Sequence, residues 1–190
     1  MGNREKLLET AAEVFGRAGY QATSVDDILE SAGVAPSNFY YHFKSKEELA
    51  LEVLEGYFAK SRQEIAPLFM NKKLSATAKL EQLHRNFVQK MTRNGCCGGC
   101  PLGNLAIELS DTHPKFREPL ADFFEECMEG IAGVVRQGVQ SGEFRKDVDP
   151  QAASFLLFGS IEGLLLLSKN LKRTTPLESG FRQALNLMKA

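Results

Sequence analysis

The chain holds 190 residues, 43% hydrophobic and 25% charged, the balance of a soluble globular protein long enough for one domain or two small ones. Lys plus Arg total 23 against 24 Asp plus Glu, a net charge of -1, which excludes a polybasic histone-like or membrane-coating protein and a charge-expanded disordered chain. The longest apolar run, 155–167, is broken by Ser160 and Glu162 and falls short of the ~20 residues of a membrane span. No secretory leader pattern is visible, and the four cysteines do not form a secreted disulfide framework. The expected setting is a reducing cytoplasm, with no membrane partner and no cofactor.

Nearly every segment reads with helical periodicity. Leu7, Leu8, Ala11, Val14, Phe15 and Ala18 share one face of a first helix that stops at Gly19. Ser24 through Asp27 form a capping-box start for a second helix with Val25, Ile28, Leu29 and Ala32 inward, ended by Gly33. Pro36 opens a short third helix that runs to about residue 43. Ser45 through Glu48 form another capping box for a long fourth helix, with Leu49, Val53, Leu54, Tyr57 and Phe58 inward, weakening at Pro67. Further helices are expected at 75–93, 102–111, 115–141, 150–172 and 176–188, the last started by Thr175 and Pro176. The fold class is therefore all-α. An N-terminal three-helix unit, residues 1–46, is joined by a long helix to a helical bundle, the whole second part spanning 47–190.

Residues 24–46 read as a helix-turn-helix. At about 100° per residue, Pro36, Phe39, Tyr40 and Phe43 fall on one side of the third helix, with Ser37, Asn38, Tyr41 and His42 on the other. The outward side chains are compact or planar hydrogen-bonding groups suited to a DNA groove. Asn38 can pair bidentately with an adenine edge, and Tyr41 and His42 suit phosphate oxygens. Lys44 and Lys46 add positive charge. Residues 1–48 nevertheless carry five Lys/Arg against eight Asp/Glu, a net of -3, so weak non-specific DNA binding with a shallow salt dependence is expected.

The run from Ala11 to Leu49, with Gly19, Ser24, Asp27, Gly33 and the Tyr40-Tyr41-His42-Phe43 stretch in order and spacing, closely resembles the N-terminal domain of TetR-family transcriptional regulators over about residues 4–58. Carried over position by position, the resemblance implies contacts to a double-stranded DNA operator from Ser24, Val25, Pro36, Ser37, Asn38, Tyr40, Tyr41, His42 and Lys46. Val25 stands where the family often has a hydroxyl. The helical wheel favours Tyr41 over Tyr40 as a DNA contact. Residues 100–111 and the Gly159-Ser-Ile-Glu-Gly163 stretch are similar to the effector domain of one TetR subfamily. The resemblance further implies a homodimer, and residues 116–139 and 152–171 are long amphipathic helices that can form a four-helix interface or intrachain core.

A small-molecule effector pocket in the bundle would draw on Phe87, Met91, Phe123, Phe124, Cys127, Met128, Phe155 and Phe158, with Glu162 as a polar anchor. Such stripes are more often plain core. Cys96, Cys97 and Cys100 lie in a Gly-rich stretch, 94–103, which reads as an ordinary loop, as a redox or electrophile sensor, or as part of a zinc site completed by Cys127, His84 or His113. The zinc signal is the weakest because no second Cys-x2-Cys exists, and no metal is expected. The function expected is a ligand-responsive TetR-type repressor on a palindromic operator, with a thiol-sensing regulator as the alternative. A Cys100 enzyme using His113 or His84 as base is remote, since no nucleophile elbow or phosphate loop is present.

Overall fold

The structure is a computed structural model and describes residues 2–190. Among the described residues it is all-α, with nine helices: α1 (Asn3–Ala18), α2 (Val25–Ala32), α3 (Pro36–His42), α4 (Lys46–Met70), α5 (Ala76–Arg93), α6 (Pro101–Leu109), α7 (Pro114–Ser141), α8 (Pro150–Leu171) and α9 (Thr175–Asn186). Apart from them there is an isolated antiparallel bridge between Phe144 and Lys189.

The helix ends follow local side-chain chemistry. Ser24 accepts from the Asp27 amide at 3.1 Å, and the Asp27 carboxylate takes the Ser24 amide at 2.7 Å, closing the box that starts α2. Gly33, at φ 61°, supplies the left-handed turn into α3, and the Val34 amide reaches back to the Leu29 carbonyl. At α4 the box is split: Ser45 accepts from the Glu48 amide, but the Glu48 carboxylate takes the Lys44 amide instead of its expected partner. The helix continues through Pro67, which is exposed and one turn from the end, where a missing amide disturbs little. The cap of α9 is Thr174 rather than Thr175, its hydroxyl donating to Glu178 at 2.6 Å.

Contacts group the chain into two compact units. The first contains the residues up to Ser61 together with Pro101–Leu120. Its core is Leu7, Ala11, Phe15, Ile28, Phe39, Phe43, Leu49 and Leu54, with Leu105, Leu109 and Phe116 from the later segment. Ala18, expected inward, is exposed at the last position of α1.

The second unit is Arg62–Cys100 with Ala121–Ala190. Leu80, Leu83, Val135, Phe144, Leu157, Ile161, Leu165, Leu177 and Phe181 fill its core. Phe144 lies so close to Gly138 that a Cβ there would stand 2.2 Å from the ring, so α7 needs glycine at this point. The partly buried N-terminus of α5 is closed by Glu143, which accepts from the Ala76 and Thr77 amides at 3.0 and 2.9 Å and from the Ser141 hydroxyl.

Partial burial works to raise the Glu143 pKa. The Thr77 and Ala76 amides and the Thr77 and Ser141 hydroxyls outweigh it and bring the carboxyl down to about 2. A folded-state pKa below the unfolded one contributes stability above about pH 4.5 that is lost as pH falls toward 2. Glu143→Gln should therefore lose about 1–2 kcal/mol at pH 7, the size of a helix-cap deletion, and show a flatter stability profile between pH 5 and 3 in urea titrations.

Candidate nucleic-acid interface

The helix-turn-helix is α2, the turn at Gly33, and α3. Phe39 and Phe43 are buried and anchor α3 from below. Ser24, Pro36 and Ser37 are exposed, and Val25, Asn38 and His42 are half-buried. Tyr41 is 82% exposed and Tyr40 65% exposed. The wheel had put Pro36 and Tyr40 on the inner side, and the structure corrects this. A seven-residue helix is held by a single i, i+4 pair, so its buried strip is narrower than half the circumference. The Tyr40 ring packs edge-on against Phe39 at 5.2 Å while its exposed remainder reaches solvent.

Lys46 is placed differently from a free surface cation. Its Nζ donates to the Tyr20 and Thr23 carbonyls at 3.0 and 2.8 Å and sits 4.3 Å over the Tyr20 ring. From α6, the Glu108 carboxylate accepts from the Tyr20 and Gln21 amides at 3.0 and 2.6 Å. Gly19 permits that approach, since a Cβ there would lie 3.1 Å from the carboxylate. The Tyr20 ring is packed between Phe15, Phe116 and His113 at 5.5, 5.1 and 5.9 Å. Burial, then Glu47 and Glu108, raise its phenol pKa. Sequence reading missed Tyr20, Glu108 and Phe116, because partners nearly ninety positions apart leave no local signal.

In the second unit, several of the residues expected to form a pocket gather on α7 and α8. Phe124 and Phe158 meet at 5.2 Å. Phe123 is buried beneath the Arg62 guanidinium, which forms a two-pronged pair with Glu126. Cys127 and Met128 are half-buried, and burial followed by Glu126 and Glu162 pushes the Cys127 thiol up to about 12. Glu162 is half-buried. Burial raises its pKa against a hydrogen bond from Cys100. Met91 is buried core and Phe87 packs on the same core.

Phe155 does not line an interior. It is exposed, as are Leu156, Leu166, Leu167 and Leu171 on α8. The apolar run judged too short for a membrane span lies in a 22-residue helix that has the length and composition of one. Buried residues Ile161, Leu165 and Ser168 nevertheless give α8 a core-facing side. Between α5 and α9 there is a cleft of about 560 Å³ that sequence reading did not single out. On it, His84 stacks against Phe181 at 4.8 Å.

Cys96 is buried, Cys97 exposed, and Cys100 and Cys127 half-buried. The Lys172 Nζ stands 3.7 Å from the Cys97 Sγ. Among the described residues no three His, Cys, Asp or Glu side chains gather as a metal site. The two histidines considered as bases are otherwise engaged, His84 with the Leu177 carbonyl and His113 with the Thr112 hydroxyl.

Two family signatures match: "Bacterial regulatory proteins, tetR family" over residues 7–53, and "Tetracyclin repressor-like, C-terminal domain" over residues 76–184. The chain belongs to the TetR family of transcriptional regulators. Among relatives, the HTH-type transcriptional repressor DhaR of Mycobacterium sp. strain GP1 is 27% identical, covering 92% of this chain and 86% of its own. The crystal structure of regulatory protein TetR from Rhodobacter sphaeroides superposes with a TM-score of 0.90 at 28% identity, covering 97% of both chains. The CifR cysteine mutant in complex with 26 bp double-strand operator DNA shares the fold, with a TM-score of 0.84 at 22% identity over 97% of this chain and 95% of that one.

Within this TetR fold Lys46 holds the loop ahead of α2 in position. Lys46→Met should destabilise the protein by about 1–3 kcal/mol in urea unfolding, since two charged hydrogen bonds to backbone are lost. Its operator affinity should drop uniformly across operator variants. A change in base preference would instead make Lys46 a reader of sequence.

Proposed function

We propose that the protein is a ligand-responsive TetR-type repressor that binds a palindromic operator as a homodimer and works in the cytoplasm. The observation that carries this reading is α3: buried on Phe39 and Phe43, it offers Ser37, Asn38, Tyr40 and Tyr41 at its surface. Seven residues make a helix about 10 Å long, a fit for a major groove about 12 Å wide. Asn38 would read a base edge. Ser24, Ser37, Tyr40, Tyr41 and His42 would bond phosphates, while Val25 and Pro36 contribute apolar contact and Lys46 supports the loop.

The relative named as a repressor supports the direction of control, and a protein of the same fold binds operator DNA. The homodimer reading draws on α8, whose exposed Phe155, Leu156, Leu166 and Leu167 flank Gly159 and Gly163. An apolar stripe of this length is the kind of surface a second copy covers. Two recognition helices about 34 Å apart could then enter successive major grooves. An effector at the α7–α8 seam that favours another separation would lower operator affinity by its differential binding to the two states.

A second reading, thiol sensing, is favoured by the Cys97–Lys172 contact. The sulfur is exposed, and a thiol at the surface is open to oxidants and electrophiles. Binding of the purified protein to DNA flanking its own gene, with and without reductant, tests both. Saturable dimer binding that is indifferent to oxidation supports the ligand-responsive reading, and loss on oxidation that disappears in a Cys96/Cys97/Cys100 triple Ser variant supports the second.

Asn38→Ala should weaken operator binding by about 1–3 kcal/mol and relax base choice at one position, read by anisotropy against single-base operator variants. A Cβ at Gly163 would meet no neighbouring element within 4 Å, so Gly163→Arg should leave the fold intact and yield monomers in analytical ultracentrifugation. A variant that stays dimeric would remove α8 from the interface.

A further inference from the structure

The cleft between α5 and α9, about 560 Å³, has the volume of a small-molecule site. Its apolar lining is Phe181 and Leu185, both buried, and the half-buried Val88. The His84 ring lies flat on Phe181, 4.8 Å between centroids and 10° from parallel. A carbonyl oxygen only accepts, so the 3.0 Å contact with Leu177 makes Nε2 the protonated nitrogen of His84. Its Nδ1 has no hydrogen-bond partner among the described residues. The rim is charged. Arg85, Arg182 and Lys189 face Glu81 and Glu178, three cations against two carboxylates. Glu81 is shared, 3.8 Å from both Arg85 and Lys189, and Glu178 accepts from the Thr174 hydroxyl at 2.6 Å. Among the described residues Arg182 forms no ion pair or hydrogen bond. The cleft thus carries one positive charge in excess beside an apolar surface.

We propose that the α5–α9 cleft binds a small organic monocarboxylate, an acid whose body is a single aromatic ring or a short alkyl chain. Arg182 takes the carboxylate, because a guanidinium presents paired donors that match both oxygens. Phe181, Leu185 and Val88 take the apolar body. A cationic ligand would meet the excess positive charge, and a phosphate dianion would overcompensate it. His84 adds a donor that depends on pH. Burial lowers its pKa, Arg182 and Arg85 act in the same direction, and the Leu177 carbonyl and Glu178 oppose them. The free protein therefore holds a neutral ring above about pH 7, with a lone pair on Nδ1. A carboxylate beside that ring favours the imidazolium, whose Nδ1–H donates, so affinity rises as pH falls through the imidazole range. The cleft shares no lining residue with the α7–α8 seam, so this site stands whether or not that seam takes an effector.

Four small probes separate the charge classes: 3-phenylpropionate, its amide, 3-phenylpropylamine and phenyl phosphate, measured by isothermal titration calorimetry against the full chain. The acid should bind at least about tenfold more tightly than its amide, and Arg182→Gln should abolish that preference. Arg182 is exposed, so this substitution should leave the fold intact. Affinity for the acid should rise about threefold or more from about pH 7.5 to 5.5 and stay flat in His84→Gln, whose amide keeps an N–H for the Leu177 carbonyl. The chain has three histidines, so NMR places the ligand independently. The ring signal missing from His84→Gln should shift on addition of the acid, more than those of His42 and His113. Equal or tighter binding of the amide, the amine or the phosphate overturns the proposal, as does a preference that survives in Arg182→Gln. Affinity unchanged by pH, a shift confined to the other two histidines, or no saturable binding of the acid overturns it as well.

Discussion

The loop from Tyr20 to Thr23 is gripped by charges of both signs. The Lys46 ammonium takes its carbonyls, the Glu108 carboxylate takes its amides, and the Tyr20 ring is packed among Phe15, His113 and Phe116. Each charge meets the backbone groups it suits, so the Tyr20 and Gln21 amides and the Tyr20 and Thr23 carbonyls keep partners beside the packed ring. The loop directs the chain from α1 into α2, and α2 directs it into α3. The loop that leads into the helix-turn-helix is thus held by side chains of α4 and α6, which lie outside the helix-turn-helix itself.

That arrangement also accounts for the acidic N-terminal segment. Its net charge of -3 suggested a poor partner for a polyanion. In the folded chain part of that acid is committed to local structure. Asp27 closes the α2 cap, Glu48 holds the Lys44 amide and Glu47 pairs with Lys115. The Asp27 pKa is lowered by its hydrogen bonds to Ser24, as expected for a carboxylate occupied with donors. Meanwhile α3, too short to hold its shape in isolation, takes its stability from two buried rings and keeps polar groups outward.

In the second unit, α8 carries two apolar sides. Leu157, Ile161 and Leu165 belong to the core, while Phe155, Leu156, Leu166 and Leu167 lie at the surface. Between those sides sit Phe158 and Glu162, which together with Ser160 interrupts an otherwise apolar stretch. A helix apolar around most of its circumference has a weak amphipathic signal, which is why periodicity alone could not separate its core side from the outer one.

The helices and several of their caps were legible in the sequence, because such a cap is made by residues within three or four positions of each other. Ser24 with Asp27, Gly33, and Asp149 before Pro150 are all of this kind. So was the membership of α2 and α3 in a TetR-type helix-turn-helix, since the order of turn glycine, caps and aromatic pair is local. The Glu143 closure of α5 was not, since it comes from a distant loop. What the tertiary structure decided was which side of each short helix is buried and which distant groups meet. Tyr40 turned outward because Phe39 and Phe43 already fill the space beneath α3. Lys46 became a loop clamp because two carbonyls of a loop more than twenty positions earlier face it. Glu108, Cys97 with Lys172, and Glu162 with Cys100 acquired their roles in the same way. These are pairings across long sequence separations, chosen by how helices pack, and neither periodicity nor local spacing encodes them.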